Sequence, residues 1–379
     1  MRSSPNPTIA LLLLPLWTLM IQPQAAEPPP AAPRPMERVA VSADGKGFAL
    51  VPSGRPFRAW GFNYDHDETG RLIEDYWDQE WPKIEQDFQE MRDLGANTVR
   101  IHLQTGKFLR DAQTPNDQAL AKLKQLLSLA ERVGLYLDLT GLGCYHKADV
   151  PAWYDDLDEA GRWAAQRVFW SAVARTCSES PAVFCYDLMN EPVVPGGKPR
   201  AKGDWLGPPF AGKHFVQVIT LEQRERPRPQ IARAWTEGLV QAIRPHDPKR
   251  LITIGLVDWS LDRPGLTSGF VPKEVAPALD FLCVHLYPEK GKVDQAIETL
   301  QGFVAAGKPV VIEETFPLKA GAADFRAFLD RSRPLAAGTI GFYWGKTLAQ
   351  CKASGTIGDA LLASWLELFQ AETAQGRLP

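Results

Sequence analysis

The sequence VFCYDLMNEP at residues 183–192 ends an apolar, β-prone run with an amide, a carboxylate and a proline. Proline cannot donate a hydrogen bond to a sheet and does not lie within a central strand, so the strand must stop at Glu191. A charged side chain therefore stands at the carboxyl end of a buried strand, where parallel α/β barrels place their chemistry. The alternative is an ordinary strand exit whose carboxylate lies in water.

Similar apolar runs occur along the rest of the chain, and helical patterns separate them. The predicted strands are 57–63, 96–102, 134–140, 182–191, 251–256, 280–285, 309–314 and 338–344. The predicted helices are 81–94, 116–133, 157–177, 230–243, 292–306, 323–331 and 359–374. Strands that alternate with helices indicate a parallel sheet, and eight such units with right-handed crossovers close into a (β/α)8 TIM barrel. An open doubly wound sheet is the alternative, but no Gly-rich phosphate loop follows the first strand.

The segments before the barrel have other predicted roles. Residues 1–26 are typical of a signal peptide, with Arg2, an apolar run at 9–21 that is too short to span a bilayer, and small residues before a cleavage site. A secreted or periplasmic protein is therefore predicted, and a retained N-terminal anchor is the alternative. Residues 27–37 form a Pro/Ala-rich linker. The remaining residues, 38–379, are predicted to be one catalytic domain that begins with a β-hairpin at 38–51, placed to plug the bottom of the barrel.

Composition narrows the choice of partners. A net charge of −3 over 379 residues, without a basic patch, gives no sign of a nucleic-acid partner. We expect no stable membrane insertion and a monomer. Twelve tryptophans suit a carbohydrate cleft, although most tryptophans are core residues. Five cysteines leave at least one unpaired, allow one disulfide, and show no spacing typical of metal ligands.

Closing the barrel brings the carboxyl ends of all eight strands to one face. The polar and aromatic residues predicted there are Asn63, Arg100, His102, His146, Asn190, Glu191, Asp258, Trp259, His285, Tyr287, Glu313, Glu314 and Trp344. So many polar groups at one rim are costly without a shared ligand or network. His102 is interpreted as structural, whereas His146 and the pair Asp258 and Trp259 fit a site or a surface role equally well.

Two carboxylates, on the fourth and seventh strands, face each other across the barrel mouth. Hydrolysis of a glycosidic bond needs one carboxyl group that protonates the leaving oxygen and another that attacks the anomeric carbon or activates water. A separation of about 5 Å gives retention of configuration, and about 6.5–9.5 Å gives inversion. The sequence determines which strands carry the two groups but not the distance between them.

The chain resembles glycoside hydrolase family 5, the cellulase and mannanase family of the large retaining barrel clan. The residues that carry the resemblance, in order along the expected strands, are Arg100 within NTVR, Asn190-Glu191-Pro192, His285 and Tyr287 within HLYP, Glu314 and Trp344. The likeness extends from about Arg38 to the C-terminal helix.

The resemblance implies a role for each of these residues. Glu191 is the expected general acid/base and Glu314 the nucleophile, and Asn190 is expected to bind the sugar 2-hydroxyl. The other expected roles are Arg100 and Tyr287 beside the nucleophile to keep it ionised, His285 orienting the acid/base or the sugar, and Trp344 forming the floor at the scissile bond. No metal or other cofactor is expected.

The sequence departs from the family pattern next to the nucleophile. The family often has Gly before it, whereas Glu313 stands here, so that either Glu313 or Glu314 fits the role. Alternation along a strand sends one side chain inward and the other away, and counting from Pro309 favours Glu314.

Two other functions fit the same barrel. A sugar-binding protein that has lost catalysis usually lacks one of the two carboxylates, and both are present here. A metal-dependent hydrolase using His102, His146 and His285 usually has a His-x-His pair on the first strand, where this chain has Asn63 and Tyr64.

Overall fold

Eight parallel strands close into a barrel in the computed structural model, which describes Met1 and residues 35–64, 67, 69–261 and 267–374. Apart from Met1, the predicted signal peptide at 1–26 lies outside the described residues, as does most of the predicted linker at 27–37. The described helices contain no segment that is long and apolar enough to cross a membrane.

The strands are β1 (Arg38–Val41), β2 (Phe48–Val51), β3 (Pro56–Phe57), β4 (Ala59–Tyr64), β5 (Thr98–Gln104), β6 (Tyr136–Gly143), β7 (Val183–Asn190), β8 (Pro192–Val193), β9 (Gln217–Val218), β10 (Leu251–Val257), β11 (Leu282–His285), β12 (Val310–Glu314) and β13 (Gly338–Gly341). The order around the barrel is β4-β5-β6-β7-β10-β11-β12-β13, and β13 pairs with β4 to close it. The predicted TIM barrel is therefore confirmed.

The helices are α1 (Ile73–Tyr76), α2 (Trp81–Asp93), α3 (Thr105–Phe108), α4 (Asp117–Val133), α5 (Ala152–Asp156), α6 (Glu159–Cys177), α7 (Arg228–Ile243), α8 (Pro272–Val275), α9 (Val293–Val304), α10 (Ala322–Ser332), α11 (Leu348–Ala353) and α12 (Ile357–Ala374). All seven predicted helices are present, with ends shifted by at most two residues.

Local chemistry explains the helix ends. The Asn116 side chain accepts a hydrogen bond from the Gln118 backbone N–H, which satisfies a free donor in the first turn of α4. Gly134 ends the same helix in the left-handed region at φ 81°, a conformation that glycine adopts without steric cost. Asp158 caps α6 by accepting from the Gly161 N–H.

The N-terminal hairpin covers the bottom of the barrel, as predicted. Strands β1, β2 and β3 form a small antiparallel sheet. Phe48 of β2 packs edge-on against Phe184 and Phe281, with ring centroids 5.1 Å apart in both pairs. These two phenylalanines lie at the amino ends of barrel strands, so the plug is on the face opposite the carboxyl ends.

All eight barrel strands are present with bounds shifted by one to three residues at one or both ends, and the first and last strands show why. The first barrel strand begins at Ala59 rather than at residue 57, because Phe57 pairs with Phe48 in the plug. The last strand ends at Gly341 rather than at residue 344. Beyond it, the Phe342 N–H donates to the Thr315 carbonyl and the Trp344 N–H donates to the Asn63 carbonyl.

The connection from β7 to α7 is long and partly ordered by a parallel pairing of β8 with β9. This pairing holds the connection against the strand end that carries Glu191. All five cysteines are buried and unpaired, so the disulfide that the cysteine count allowed does not form.

Candidate active site

Glu191 is the first residue after β7, and its backbone is in an unusual conformation. Its φ of 46° lies in the left-handed region, which costs a non-glycine residue free energy and persists only where the surroundings hold it. The Glu191 N–H donates to the Gly255 carbonyl at 2.9 Å, and its carbonyl accepts from the Gln217 N–H at 3.3 Å. The turn keeps the side chain, which is 16% exposed, at the barrel mouth.

Glu314 is the last residue of β12 and faces Glu191. One oxygen from each carboxylate and a ring nitrogen of His285 lie within 4.8 Å of one another. The Tyr287 hydroxyl donates to Glu314 Oε2 at 2.7 Å. Burial, reinforced by the Glu191 charge, raises the pKa of Glu314 against the opposing effects of His285, Arg100 and Tyr287. These three partners are therefore needed to keep the Glu314 carboxylate ionised.

Arg100 lies fully buried beneath the two carboxylates and holds the base of the site together. Its Nη1 donates to Glu314 Oε1 at 2.5 Å and to Asn63 Oδ1 at 2.9 Å. Its Nη2 donates to Asp187 Oδ2 at 2.7 Å and to Asn190 Oδ1 at 2.9 Å. A buried guanidinium is tolerated only when it is paired and hydrogen-bonded in this way, so these contacts lock its orientation.

His285 lies between acidic side chains from two other strands. Its Nδ1 is 2.9 Å from Glu191 Oε1, and its Nε2 is 3.1 Å from Glu313 Oε2. Burial by itself lowers the pKa of His285, but the charges and hydrogen bonds of Glu314, Glu191 and Glu313 outweigh it and raise the pKa to about 10. Carboxylate oxygens at both ring nitrogens favour the imidazolium, which can donate from each of them.

The two candidate asparagines are buried around Arg100. Asn63 donates from Nδ2 to the Glu313 carbonyl at 2.9 Å, and its Oδ1 accepts from Arg100. Asn63 was predicted as a substrate-binding residue at the barrel mouth. It is fully buried and its amide is occupied within the barrel, so this prediction is corrected to a position that supports Arg100. Asn190 also accepts from Arg100 and donates to the Phe215 carbonyl at 3.0 Å, at the edge of the long connection.

Trp344 is also corrected, because the structure places it in the core. It is 1% exposed, its ring packs 5.8 Å from that of Phe62, and it hydrogen-bonds to Asp87. No face of the indole is left for a sugar. The half-buried ring of Phe342 instead lies 6.5 Å from the Tyr287 ring and 6.3 Å from the Phe215 ring.

The remaining candidates occupy the rim. His146 is half-buried, with Nε2 3.3 Å from the Gly70 carbonyl oxygen, and Trp259 is half-buried in the turn that follows β10. His102 is buried and hydrogen-bonds to the Tyr145 hydroxyl, in agreement with its structural interpretation.

Sequence reasoning missed several residues of the site. Asp138 and Asp187 lie fully buried in the middle of β6 and β7, and a charged residue within an apolar strand was the available signal. Gly255 had no such signal. A Cβ atom on Gly255 would lie 2.9 Å from Arg100 Nη2, Glu313 Oε2 and His285 Nε2, so the strand must have glycine there.

Two groups of side chains in the described residues are close enough to share a cation. Their ligand atoms lie within 4.8 Å of one another, and the groups are Glu191 with His285 and Glu314, and Asp138 with Asp187 and Glu313. The Arg100 guanidinium donates to members of both groups and supplies the positive charge there. The arrangement is therefore that of an ion-pair network around arginine. The three histidines of the metal-hydrolase alternative do not converge in the described part of the chain.

Comparison with known proteins places the chain among carbohydrate-active barrels. Two relatives, each a probable mannan endo-1,4-beta-mannosidase A, come from Aspergillus flavus and Aspergillus oryzae. Both are 25% identical over 224 residues, covering 52% of this chain and 50% of the relative. The chain thus spans about half the length of these relatives.

Solved structures share the fold. An exo-beta-1,4-mannosidase from Opitutaceae bacterium strain TAV5 superposes with a TM-score of 0.65 at 18% identity, covering 89% of this chain and 62% of that one. An endo-1,4-beta-mannanase from Rhizomucor miehei gives a TM-score of 0.61 at 16% identity, covering 89% and 99%.

The family model for cellulase (glycosyl hydrolase family 5) matches residues 52–321, from the plug through β12. This range includes every residue of the ion-pair network around Arg100. Because the match extends over more than half of the chain, this protein belongs to glycosyl hydrolase family 5.

Proposed function

We propose that this protein is a retaining β-glycosidase of the cellulase and mannanase type. The observation that carries the proposal is the pairing of Glu191 and Glu314 across the barrel mouth, with oxygens within 4.8 Å of each other. Carboxyl groups about 5 Å apart suit attack by one of them on the anomeric carbon, and leave too little room for a water molecule between carboxylate and sugar.

The proposed mechanism has two displacements. In the first, Glu314 attacks the anomeric carbon while Glu191 donates its proton to the leaving oxygen, which breaks the glycosidic bond and forms a glycosyl ester on Glu314. In the second, Glu191 takes a proton from a water molecule, and the water oxygen attacks the anomeric carbon and releases Glu314. Configuration is inverted twice and so retained.

The surroundings of the two glutamates support this division of roles. Glu314 receives hydrogen bonds from the Arg100 guanidinium and the Tyr287 hydroxyl, and both favour the ionised form that a nucleophile needs. Glu191 is the more exposed of the two side chains, at 16% against 6%, as a group that exchanges its proton with a leaving oxygen and with water requires. The adjacent Glu313 is fully buried, which supports Glu314 rather than Glu313 as the nucleophile.

β-1,4-linked mannans and mannooligosaccharides are the proposed substrate class. The support comes from the relatives, which are named as mannan endo-1,4-beta-mannosidases and an exo-beta-1,4-mannosidase. Aromatic rings at the rim, those of Phe215, Phe342 and Trp259, offer apolar faces of the kind that sugar rings contact. Hydrolysis of mannan, glucan, xylan and small aryl glycosides, compared at equal enzyme concentration, tests this assignment.

Replacement of each carboxylate tests the mechanism. Glu191→Ala and Glu314→Ala are each expected to lower kcat by several orders of magnitude while circular dichroism stays unchanged, because each removes a reacting group. Azide should rescue Glu314→Ala and give a glycosyl azide of inverted configuration. Glu237→Ala, which alters the exposed face of α7, is the matched control and should keep full activity. Wild-type turnover in either site variant contradicts the proposal.

A further inference from the structure

Glu313 is a second carboxylate beneath the site, and the mechanism above does not use it. It is fully buried, and its Oε2 lies 3.1 Å from His285 Nε2 and 3.4 Å from Arg100 Nη2. The other ring nitrogen of His285 lies 2.9 Å from Glu191 Oε1. A single imidazole therefore bridges the buried Glu313 and the proposed acid/base.

Asp138 lies behind Glu313 on the neighbouring part of the barrel wall. Both of its carboxyl oxygens, together with Glu313 Oε1, receive no hydrogen bond from the other described residues. One oxygen of each carboxyl group lies within 4.8 Å of the other. Two carboxylates so close repel each other when both are ionised, and one proton held between them gives a hydrogen bond to two of the three orphaned oxygens, one from each side chain.

Charged and titratable groups surround this pair from every neighbouring strand. They are Arg100 on β5, Asp187 and Cys185 on β7, Cys283 and His285 on β11, and Glu314 on β12, with Glu191 and Tyr287 at the ends of β7 and β11. Burial, and then the charge of Glu313, raises the pKa of Asp138 well above its ordinary range. Burial opposes ionisation of Glu313 too, but Arg100 and His285 outweigh it and lower its pKa to about 2. The proton therefore belongs to Asp138.

We propose that Asp138, Glu313 and His285 form a positioning relay for Glu191. Asp138, as a neutral acid, donates to Glu313 Oε1; the Glu313 carboxylate accepts from His285 Nε2; and His285 Nδ1 donates to Glu191. The relay keeps the ring protonated on both nitrogens and fixes its orientation. The part that concerns Glu191 rests on the proposed glycosidase function.

The relay orients its three members through hydrogen bonds, and no proton passes along it. When Glu191 gives its proton to the leaving oxygen, it becomes a carboxylate, and the hydrogen bond from His285 Nδ1 stabilises the new charge. When Glu191 regains a proton from water, His285 is unchanged. In the first step the proton leaves Glu191 for the leaving oxygen, and in the second step a proton arrives on Glu191 from water. The relay therefore acts through Glu191 and does not contact the sugar.

Titration of His285 by NMR with 15N-labelled histidine tests the relay without any turnover. In the wild type we expect an imidazolium at neutral pH. Glu313→Gln removes the acceptor charge, so the midpoint of His285 should fall by about one pH unit or more. Asp138→Asn keeps an N–H donor toward Glu313, so the His285 titration should match that of the wild type. Glu298→Gln, on the exposed face of α9, is the matched control for the change from acid to amide.

Each outcome decides a part of the proposal. A neutral His285 in the wild type, or an unchanged midpoint in Glu313→Gln, overturns the relay, and the wild-type titration decides this even if the variant does not fold. A fall in Asp138→Asn equal to that in Glu313→Gln overturns the assignment of Asp138 as a neutral acid. Absence of glycosidase activity would refute the proposed function and leave the titration result standing. If activity is present, the alkaline limb of kcat/KM should also move to lower pH in Glu313→Gln.

Discussion

Adjacent residues with the same side chain have different surroundings at the end of β12. Glu314 meets Tyr287 and faces Glu191, whereas Glu313 points at His285 and Asp138 deeper in the barrel interior. Both carboxylates contact Arg100 and His285, so the simple alternation of one side chain inward and the next away does not hold here, where the register between β11 and β12 shifts. Counting along the strand from the sequence favoured Glu314 as the residue at the cleft. Glu314 does face Glu191, but Glu313 points into the barrel rather than away from it, so the count was wrong for Glu313. The catalytic role of Glu314 belongs to the proposed function.

The Tyr287 hydroxyl gives a residue-scale prediction about pH. Tyr287→Phe removes a hydrogen bond that favours the charged form of Glu314, so the pKa of Glu314 should rise. The nucleophile then ionises only at higher pH, and the acid limb of kcat/KM should move upward. A hydrogen bond to a charged group contributes about 1.5–3 kcal/mol, which corresponds to a loss of about 10- to 100-fold in kcat/KM.

The measurement is a pH profile of kcat/KM for the wild type, Tyr287→Phe and a control. Tyr136→Phe is the matched control, because this tyrosine is also buried but donates to the Glu37 carbonyl at the bottom of the barrel. The loss in Tyr287→Phe should be larger at about pH 5 than at about pH 8. An acid limb that stays in place would show that Tyr287 does not support Glu314.

At the scale of an element, strand β10 makes room for the site because Gly255 has no side chain. Gly255 donates its N–H to Asp187 Oδ1 at 2.6 Å and accepts from the Glu191 N–H, so its backbone fixes both neighbours. The absence of a side chain there lets Arg100 and His285 approach each other across the strand. The register between β10 and β7 shifts at this position.

Gly255→Ala should therefore disable the site. The new methyl group would lie 2.9 Å from polar atoms of three network residues, and displacement of reacting groups by about 1 Å costs about 100-fold in rate. We expect a loss of that size or more in kcat, with a lower melting temperature. Gly238→Ala within α7 has open space, since its nearest neighbour is 3.8 Å away, and it should raise stability by about 0.5–1 kcal/mol. Full activity in Gly255→Ala would mean that the network tolerates displacement.

At the scale of the whole molecule, the two ends of the barrel have separate tasks. The carboxyl ends hold the ion-pair network, and the amino ends are closed by an apolar plug in which Phe48, Phe57, Phe184 and Phe281 pack together. In this architecture the carboxyl ends of the strands usually carry the active site, and the amino ends contribute to stability. Changes in the plug should therefore affect stability and leave the site intact.

Phe48→Ala tests this separation. The side chain is 3% exposed, and removing a buried phenyl ring costs about 3–5 kcal/mol. Chemical denaturation should show that loss, while kcat measured well below the melting temperature should stay within about twofold of the wild type, since the site keeps its contacts. Val51→Ala, at a position 51% exposed at the end of the same hairpin, should change neither quantity measurably. A large fall in kcat for folded Phe48→Ala would link the two ends.

The sequence by itself determined the barrel, its helices and the plug, because hydrophobic periodicity, caps and turn residues are local properties that each segment carries within itself. It also determined which strands carry Glu191, Glu314, Arg100 and His285. The tertiary structure alone decided which groups meet: that Trp344 packs into the core, that Asn63 supports Arg100, and that Asp138 and Gly255 lie beneath the site. These facts depend on distances between strands that are far apart in the chain, and on how burial and neighbouring charges change each ionisable group. A single stretch of sequence contains neither.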